Sequence, residues 1–399
     1  MTSLPIPSPG ITAIRFLLLT YATLAQAYAT QKLDVLRSVK MRSTFALRYN
    51  LKIVTMPSTT IHGVNPAEHD KATTPPDFGD VRAEFQGLLA KCGIYDLSWR
   101  AKIAVTGSDR VRWMNGMVTN NVRDLAPGHG VYAFLLNAQG RIQADLYVFQ
   151  RGESLLVDTE RGQKAKVLEL FDRYIIADDV EIADMSETLT GVGLTGPDSR
   201  NVLERAGIMT TDVAHLQFAD LVWRQHPVTI LRSGEEVAES WQVWISPDHV
   251  AELWGTLVEA GARPTGMTAL NLFRISRGIP QLGVDIRDRD LPQETGQIRA
   301  LNFTKGCYLG QEIVERIRSR GAVHRQFCAF AVDGELPAAE SKIFATDGEK
   351  EVGEITSSAI LPLPNGDRAV ALGYLRREAT EKELRAGAAA LKPASLPII

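Results

Sequence analysis

Residues 303–312 read FTKGCYLGQE and gather the side chains best suited to chemistry, Lys305, Cys307 and Tyr308, around two glycines. The next stretch, QEIVERIRSR, carries Ile313, Val314 and Ile317 on one side, pairs Glu312 with Arg316 four residues on, and meets Gly321 as a helix stop. The spacing predicts a loop over 306–310 entering a helix N-terminus, where free N–H groups and the helix dipole favour negative charge. Lys305 is expected to add a fixed positive charge close by, and such surroundings favour thiolate. Glycines would let the backbone approach a ligand closely. The expectation is a reactive or ligand-contacting Cys307; the alternative is an inert buried thiol, the commonest fate of a lone cysteine. A nucleophile would also need a base, and the nearest histidine in sequence, His324, lies across the helix. Arg316, Arg318, Arg320, His324 and Arg325 read as a solvated face, or as contacts for an anionic ligand tail or acidic partner.

The elements that must position this loop are legible in part. Val81, Phe85, Leu88, Leu89 and Cys92 make one helix face after Pro75-Pro76, with Asp80 as N-cap and Cys92 as a core residue. KIAVTGSD predicts a strand running into a Ser108/Asp109 cap and a helix. Residues 130–159 hold three β-rich runs separated by NAQG and RGES, the turn chemistry of an antiparallel meander, followed by a helix over 163–174. A second α+β set follows over 187–278, with strands at TLTGVGL, LVWRQHPVTIL and WQVWIS. Because helices and strands do not alternate strictly, interleaved antiparallel α+β is expected rather than a doubly wound sheet. Residues 278–305 lack periodicity, which marks a functional loop or disorder. From Gln326, short β-like runs between turns predict a small closed all-β unit, with Cys328 in its core. GVGLTG satisfies a dinucleotide fingerprint, but its first two glycines fall inside a strand run, so no nicotinamide site is expected.

Composition bounds the classes. With 399 residues, two or three domains are expected; 45% apolar, 23% charged and a net charge of −3 describe an ordinary globular chain without the basic surplus of a nucleic-acid binder. Three cysteines without a CxxC argue against a disulfide framework and a closed structural zinc site, and no metal site is expected. Residues 1–64 hold one acid, Asp34, against seven lysines and arginines. FLLLTYATLAQAYA within them is too short and polar to span a membrane. The favoured reading is an extension over 1–75 outside the fold, from a start placed too far upstream; a transit peptide, and with it the mitochondrial matrix in place of the cytoplasm, is the alternative.

LPQETGQIRALNFTKGCYLGQEIVERIRSRGAVHR closely resembles the signature of the YgfZ-type folate-binding proteins, relatives of the aminomethyltransferase (T-protein) of glycine cleavage. More weakly, GSDRVRWMNGMVTNNV, NAQGRIQADL, GLTGPDS, LNLFRISRGIPQLGVD and VGEITSS fall in family order over about 80–375. The resemblance implies a ring-like α+β fold: a folate-binding α+β unit over 76–185, an intertwined second unit over 186–325 and a β-barrel over 326–399. It implies tetrahydrofolate as ligand, and iron–sulfur client enzymes or assembly proteins as partners, with no nucleic acid and no membrane.

By the same resemblance, the T-protein's acidic pair falls at Ala144-Asp145, so one acid is retained. A later pteridine-gripping carboxylate falls at Gln242, whose amide hydrogen-bonds but carries no charge. Arg274 matches an arginine near the ligand, with an exposed helix arginine as the alternative; Asn137 belongs to the site or is a turn residue. Cys307, with Lys305 and Tyr308 beside it, then makes sense as a thiolate touching a cluster, a persulfide or a mixed disulfide while folate is bound nearby. The expected function is a tetrahydrofolate-binding accessory factor for iron–sulfur proteins. The alternative is a folate-dependent aminomethyltransferase centred on Asp145.

Overall fold

The computed structural model describes residues 74–399 apart from 211–212, 234–237, 322 and 349, together with the backbone of 61–62. The expectations for the N-terminal extension fall almost wholly outside the described residues.

Asp80 opens α1 (Val81–Ala90) as expected, its carboxylate accepting the Ala83 N–H at 2.9 Å. The chain then alternates between two sheets. Strand β1 (Gly93–Asp96) goes to the second sheet, and β2 (Arg100–Thr106) to the first. The meander follows α2 (Arg110–Met117) as β3 (Gly130–Leu136), β4 (Ile142–Gln150) and β5 (Leu155–Glu160), then come α3 (Lys164–Tyr174) and β6 (Glu181–Asp184). These give an antiparallel first sheet ordered β3-β4-β5-β2-β6.

The second sheet takes β7 (Thr190–Thr195), β8 (Phe218–Trp223), β9 (His226–Arg232), β10 (Ser240–Ile245) and β11 (Arg263–Pro264) in the order β11-β1-β7-β10-β9-β8. All its pairings are antiparallel except β11 with β1. Between its strands lie α4 (Ser199–Arg205) and α5 (Val250–Glu259). The first two glycines of GVGLTG sit in β7 as anticipated, and a Cβ on Gly193 would collide with the Tyr95 ring. The glycine makes room for an aromatic neighbour, not for a phosphate. LVWRQHPVTIL, expected as a single strand, is a hairpin: Arg224 and Gln225 turn it with φ of 46° and 70°. Neither residue type signals a left-handed turn, so sequence rules pass over it.

Beyond α6 (Met267–Arg277), two short 3₁₀ turns interrupt the aperiodic stretch before α7 (Gln311–Arg320). The C-terminal part is a closed six-stranded barrel. Its strands are β12 (Arg325–Asp333), β13 (Lys342–Ala345), β14 (Glu351–Leu363), β15 (Gly366–Arg376), β16 (Leu384–Ala386) and β17 (Ala389–Ala394). They run β14-β13-β16-β17-β12-β15, and β15 pairs back onto β14. Closure removes the open edges that short strands would otherwise expose. Cys328 is half-buried in β12 rather than fully in its core. No described helix is long and apolar enough to cross a membrane.

Strand pleating assigns the faces. Ala144, Leu146 and Val148 of β4 pack on α2 and α3 beside Trp113, Met114 and Phe171. On the second sheet, Val192, Ile230, Trp241 and Val243 pack on α4 and α5. The opposite faces meet each other, where Phe149 and Leu156 contact Leu231 and Trp244, with Phe149 and Trp244 edge to face at 5.3 Å. Each such fully buried side chain contributes about 1.5–3 kcal/mol by transfer from water. The two inner faces also carry polar residues, and a cavity lies there.

Candidate functional site

The cavity has a volume of about 250 Å³ and is walled by Tyr95, Trp99, Tyr132, Tyr147, Phe149 and Phe273. Into it converge Asp145, Glu160, Gln242, Asn271, Arg274 and Arg299. An aromatic slot with a few directed polar groups suits a flat, polar-edged ring system.

Asp145 reaches the cavity because β4 alternates: Ala144 points into the helix-side core, Asp145 inward. Its Oδ2 accepts the Tyr132 hydroxyl at 3.0 Å and its Oδ1 accepts the Gln163 amide at 2.9 Å. The Asp145 N–H returns to Gln163 Oε1 at 3.0 Å, so one glutamine holds both backbone and side chain. Nearby, burial first and the Asp145 charge second raise the Glu160 carboxyl well above the usual carboxylate range. On the floor, the Asp158 carboxylate, 1% exposed, accepts from Arg100 Nε at 3.0 Å and Lys102 Nζ at 2.9 Å. Burial would push Asp158 up, but these two cations hold it below its ordinary value.

Gln242 lines the opposite wall, and Trp244 Nε1 donates to its Oε1 at 2.7 Å. Arg274 also faces the cavity, though anchored: it donates to Asp285 at 2.6 Å, Asn271 at 3.0 Å and Ser357 at 3.1 Å. Asp285 is fully buried and also accepts from Thr356 and Ser357 of the barrel, so Arg274, itself lining the cavity, ties α6 to the barrel.

The structure thus brings Asp145, Gln242 and Arg274 to one cavity. It does not bring Asn137, Lys305, Cys307 or Tyr308 to its walls. Asn137 is the turn residue of NAQG, its Oδ1 accepting the N–H groups of Gln139 and Arg141 at 3.0 Å each. Lys305 is 5% exposed, and its amine donates to the carbonyls of Asn115 and Val118 at the C-terminal end of α2. Burial pushes it down to about 7. The expected fixed charge beside the Cys307 thiol is therefore corrected: Lys305 caps a helix, whereas Cys307 is exposed. One of the motif's glycines also serves differently. Gly310, at φ 81°, packs so closely that a Cβ would meet Asn137 O at 2.5 Å and Gly140 Cα at 3.2 Å. The close approach is loop to turn, not loop to ligand. Tyr308 is buried among Ile286, Leu301 and Val314, with the Lys305 amine 4.8 Å from its ring.

Sequence reasoning overlooked most of the walls. The signal for some was present: in IQADLYVFQ, Tyr147 and Phe149 follow Asp145 at steps of two and share its face. Arg299, whose guanidinium lies 4.4 Å over the Tyr132 ring, comes from aperiodic chain and gave none.

This architecture, two interleaved sheets and a closed C-terminal barrel, is that of the glycine cleavage T-protein. The chain belongs to the family of the GCVT N-terminal domain, which matches residues 60–305. The aminomethyltransferase of Rubrobacter xylanophilus is 27% identical over 307 residues, 76% of this chain and 81% of its own. That of Frankia alni is 28% identical over 288 residues, 71% and 78% of the two chains. The glycine cleavage system aminomethyltransferase T of Bartonella henselae superposes with a TM-score of 0.74 at 21% identity, covering 82% of this chain and 91% of that one; this likeness bears on the fold.

Proposed function

We propose that the cavity binds a reduced folate and that the chain is a folate-dependent aminomethyltransferase. The observation that carries this reading is the inward-facing Asp145 carboxylate, held by Tyr132 and Gln163 in an aromatic slot. The walls fit a pteridine, with Tyr147, Phe149 and Phe273 for its faces, Gln242 for its polar edge, and Arg274 and Arg299 for an anionic tail. Tetrahydrofolate supplies the nitrogen that accepts the one-carbon unit. Asp145 orients that nitrogen and favours positive charge developing there. Glu160, kept protonated to higher pH than an ordinary glutamate, holds a proton beside it. Relatives named aminomethyltransferase match most of the chain, which agrees with this reading.

The test has two arms. Calorimetric titration of tetrahydrofolate is expected to show one saturable site, and an aminomethylated lipoyl carrier is expected to yield methylene-tetrahydrofolate. Binding without turnover would refute the transferase, and absence of binding would refute the folate site itself.

Exposed Cys307 in KGCYLGQE favours a second reading: a YgfZ-type accessory factor for assembly or repair of iron–sulfur clusters in client enzymes. A lone thiolate can touch a cluster or persulfide only transiently, or together with a partner. In a strain lacking this protein, Cys307→Ala should fail to restore client-enzyme activity; full restoration would sink this role.

A further inference from the structure

At the outer end of the second sheet, three side chains converge that take no part in the cavity. His226 opens β9 immediately after the Arg224-Gln225 turn. His249 ends the 3₁₀ turn Pro247–His249, and Glu252 lies in the first turn of α5, three residues further and on the same side. The imidazoles lie face to face, ring centroids 3.6 Å apart and 23° from parallel. His226 Nε2 stands 3.9 Å from Glu252 Oε2, and one ligand atom from each of the three residues falls within 4.8 Å of the others. Arg224 engages the other carboxylate oxygen, Oε1, at 3.1 Å, which fixes the glutamate and leaves Oε2 turned toward the histidines. Within the described residues neither imidazole makes a hydrogen bond, and neither is fully buried.

Two ring nitrogens and one carboxylate oxygen are the donor set of borderline divalent cations rather than of calcium or magnesium, which prefer oxygen alone. We propose that His226, His249 and Glu252 form a site for a divalent transition-metal ion such as Zn²⁺ or Co²⁺. Stacked rings present nearly parallel lone pairs, so ligation tilts one ring about its Cβ–Cγ bond, a torsion that no hydrogen bond restrains. With three protein ligands, the ion keeps a position for water or an exogenous ligand. The bound ion would fasten the β8–β9 hairpin to the start of α5. Neither element supplies a wall of the cavity at these three positions, so the site is independent of the folate reading.

The experiment is titration of the full chain, carrying Cys307→Ser to remove the exposed thiol, with CoCl₂. It is followed by the visible absorption of Co²⁺ and then by displacement with ZnCl₂. One saturable equivalent is expected, displaced by Zn²⁺ and not by Mg²⁺. His226→Ala and His249→Ala should each weaken it at least about ten-fold, since even residues that only orient a ligand cost about 10–100-fold. Glu252→Gln, at an exposed position, should weaken binding while leaving the fold intact, and it decides the matter if a histidine variant does not fold. Absence of saturable binding, or binding undiminished by Glu252→Gln and by the paired histidine variant, would overturn the proposal.

Discussion

Trp244 Nε1 donates to Gln242 Oε1 at 2.7 Å, and this bond decides which end of the Gln242 amide faces the cavity. An indole N–H is a donor only, so the amide oxygen must turn toward it and the NH₂ outward. Gln242 thus offers a ligand a donor, backed by a tryptophan that packs edge to face on Phe149 and lies with its ring 4.6 Å from the Lys102 amine.

Trp244→Phe should release the amide. Tetrahydrofolate affinity is expected to fall about three- to ten-fold, in line with ~1 kcal/mol for one positioning hydrogen bond. Calorimetry on wild type and variant checks it; unchanged affinity would show that the amide's orientation does not matter.

Asp145→Asn preserves the side-chain shape and removes the charge. Methylene-tetrahydrofolate formation is expected to drop at least about 100-fold, within the range for a lost electrostatic contact to developing charge, with a much smaller change in folate affinity. Because the Asp145 charge is one cause of the raised Glu160 carboxyl, the variant's Glu160 should titrate at lower pH. Carboxyl-resolved NMR titration reads that shift, and a shift to higher pH would contradict repulsion between the two carboxylates.

Gly310 and Gly306 share positive φ and differ in surroundings. Gly306→Ala, with open space around its φ of 94°, should cost about 1 kcal/mol from backbone strain alone. Gly310→Ala adds a collision with Asn137 O at 2.5 Å and should cost about 2–4 kcal/mol, strain and overpacking together. Urea unfolding of the two variants tests the order, and equal losses would remove the role assigned to the 137–140 turn.

Lys305 makes a pH prediction. Its folded value of about 7 lies below the ordinary 10.5, so between those limits the unfolded chain binds more protons than the folded one. Stability from this group is complete above about 10.5 and is lost as pH falls toward about 7. Relative to Lys305→Met, wild type should therefore gain stability as pH rises through that window, by up to ~1.4 kcal/mol per pH unit. A neutral amine retains two N–H groups for the Asn115 and Val118 carbonyls, so the cap survives deprotonation. A difference that shrinks with rising pH would reverse the assignment.

What the sequence determined by itself is local. The Asp80 cap, the Asn137 turn, the Gly321 helix end and the alternation through Asp145 follow from backbone geometry over a few residues, as does the run of short strands that became the barrel. The family resemblance read from residues 291–325 led to the right fold relatives, the T-proteins, because it spans many residues in fixed order.

Tertiary structure decided where each of these faces points. Strand β1 leaves its sequence neighbour β2 to pair with β7 in the other sheet, and that exchange sets two inner faces against each other and creates the cavity. Burial turned Lys305 from a charge beside a cysteine into a helix cap, and close packing of Gly310 on the 137–140 turn left Cys307 in solvent. A hairpin turned by Arg224 and Gln225 set His226 against His249. The physical reason is common to all of them: spacing fixes which side of an element a residue occupies, but burial, and with it charge state and reach, depends on contacts between segments distant in the chain.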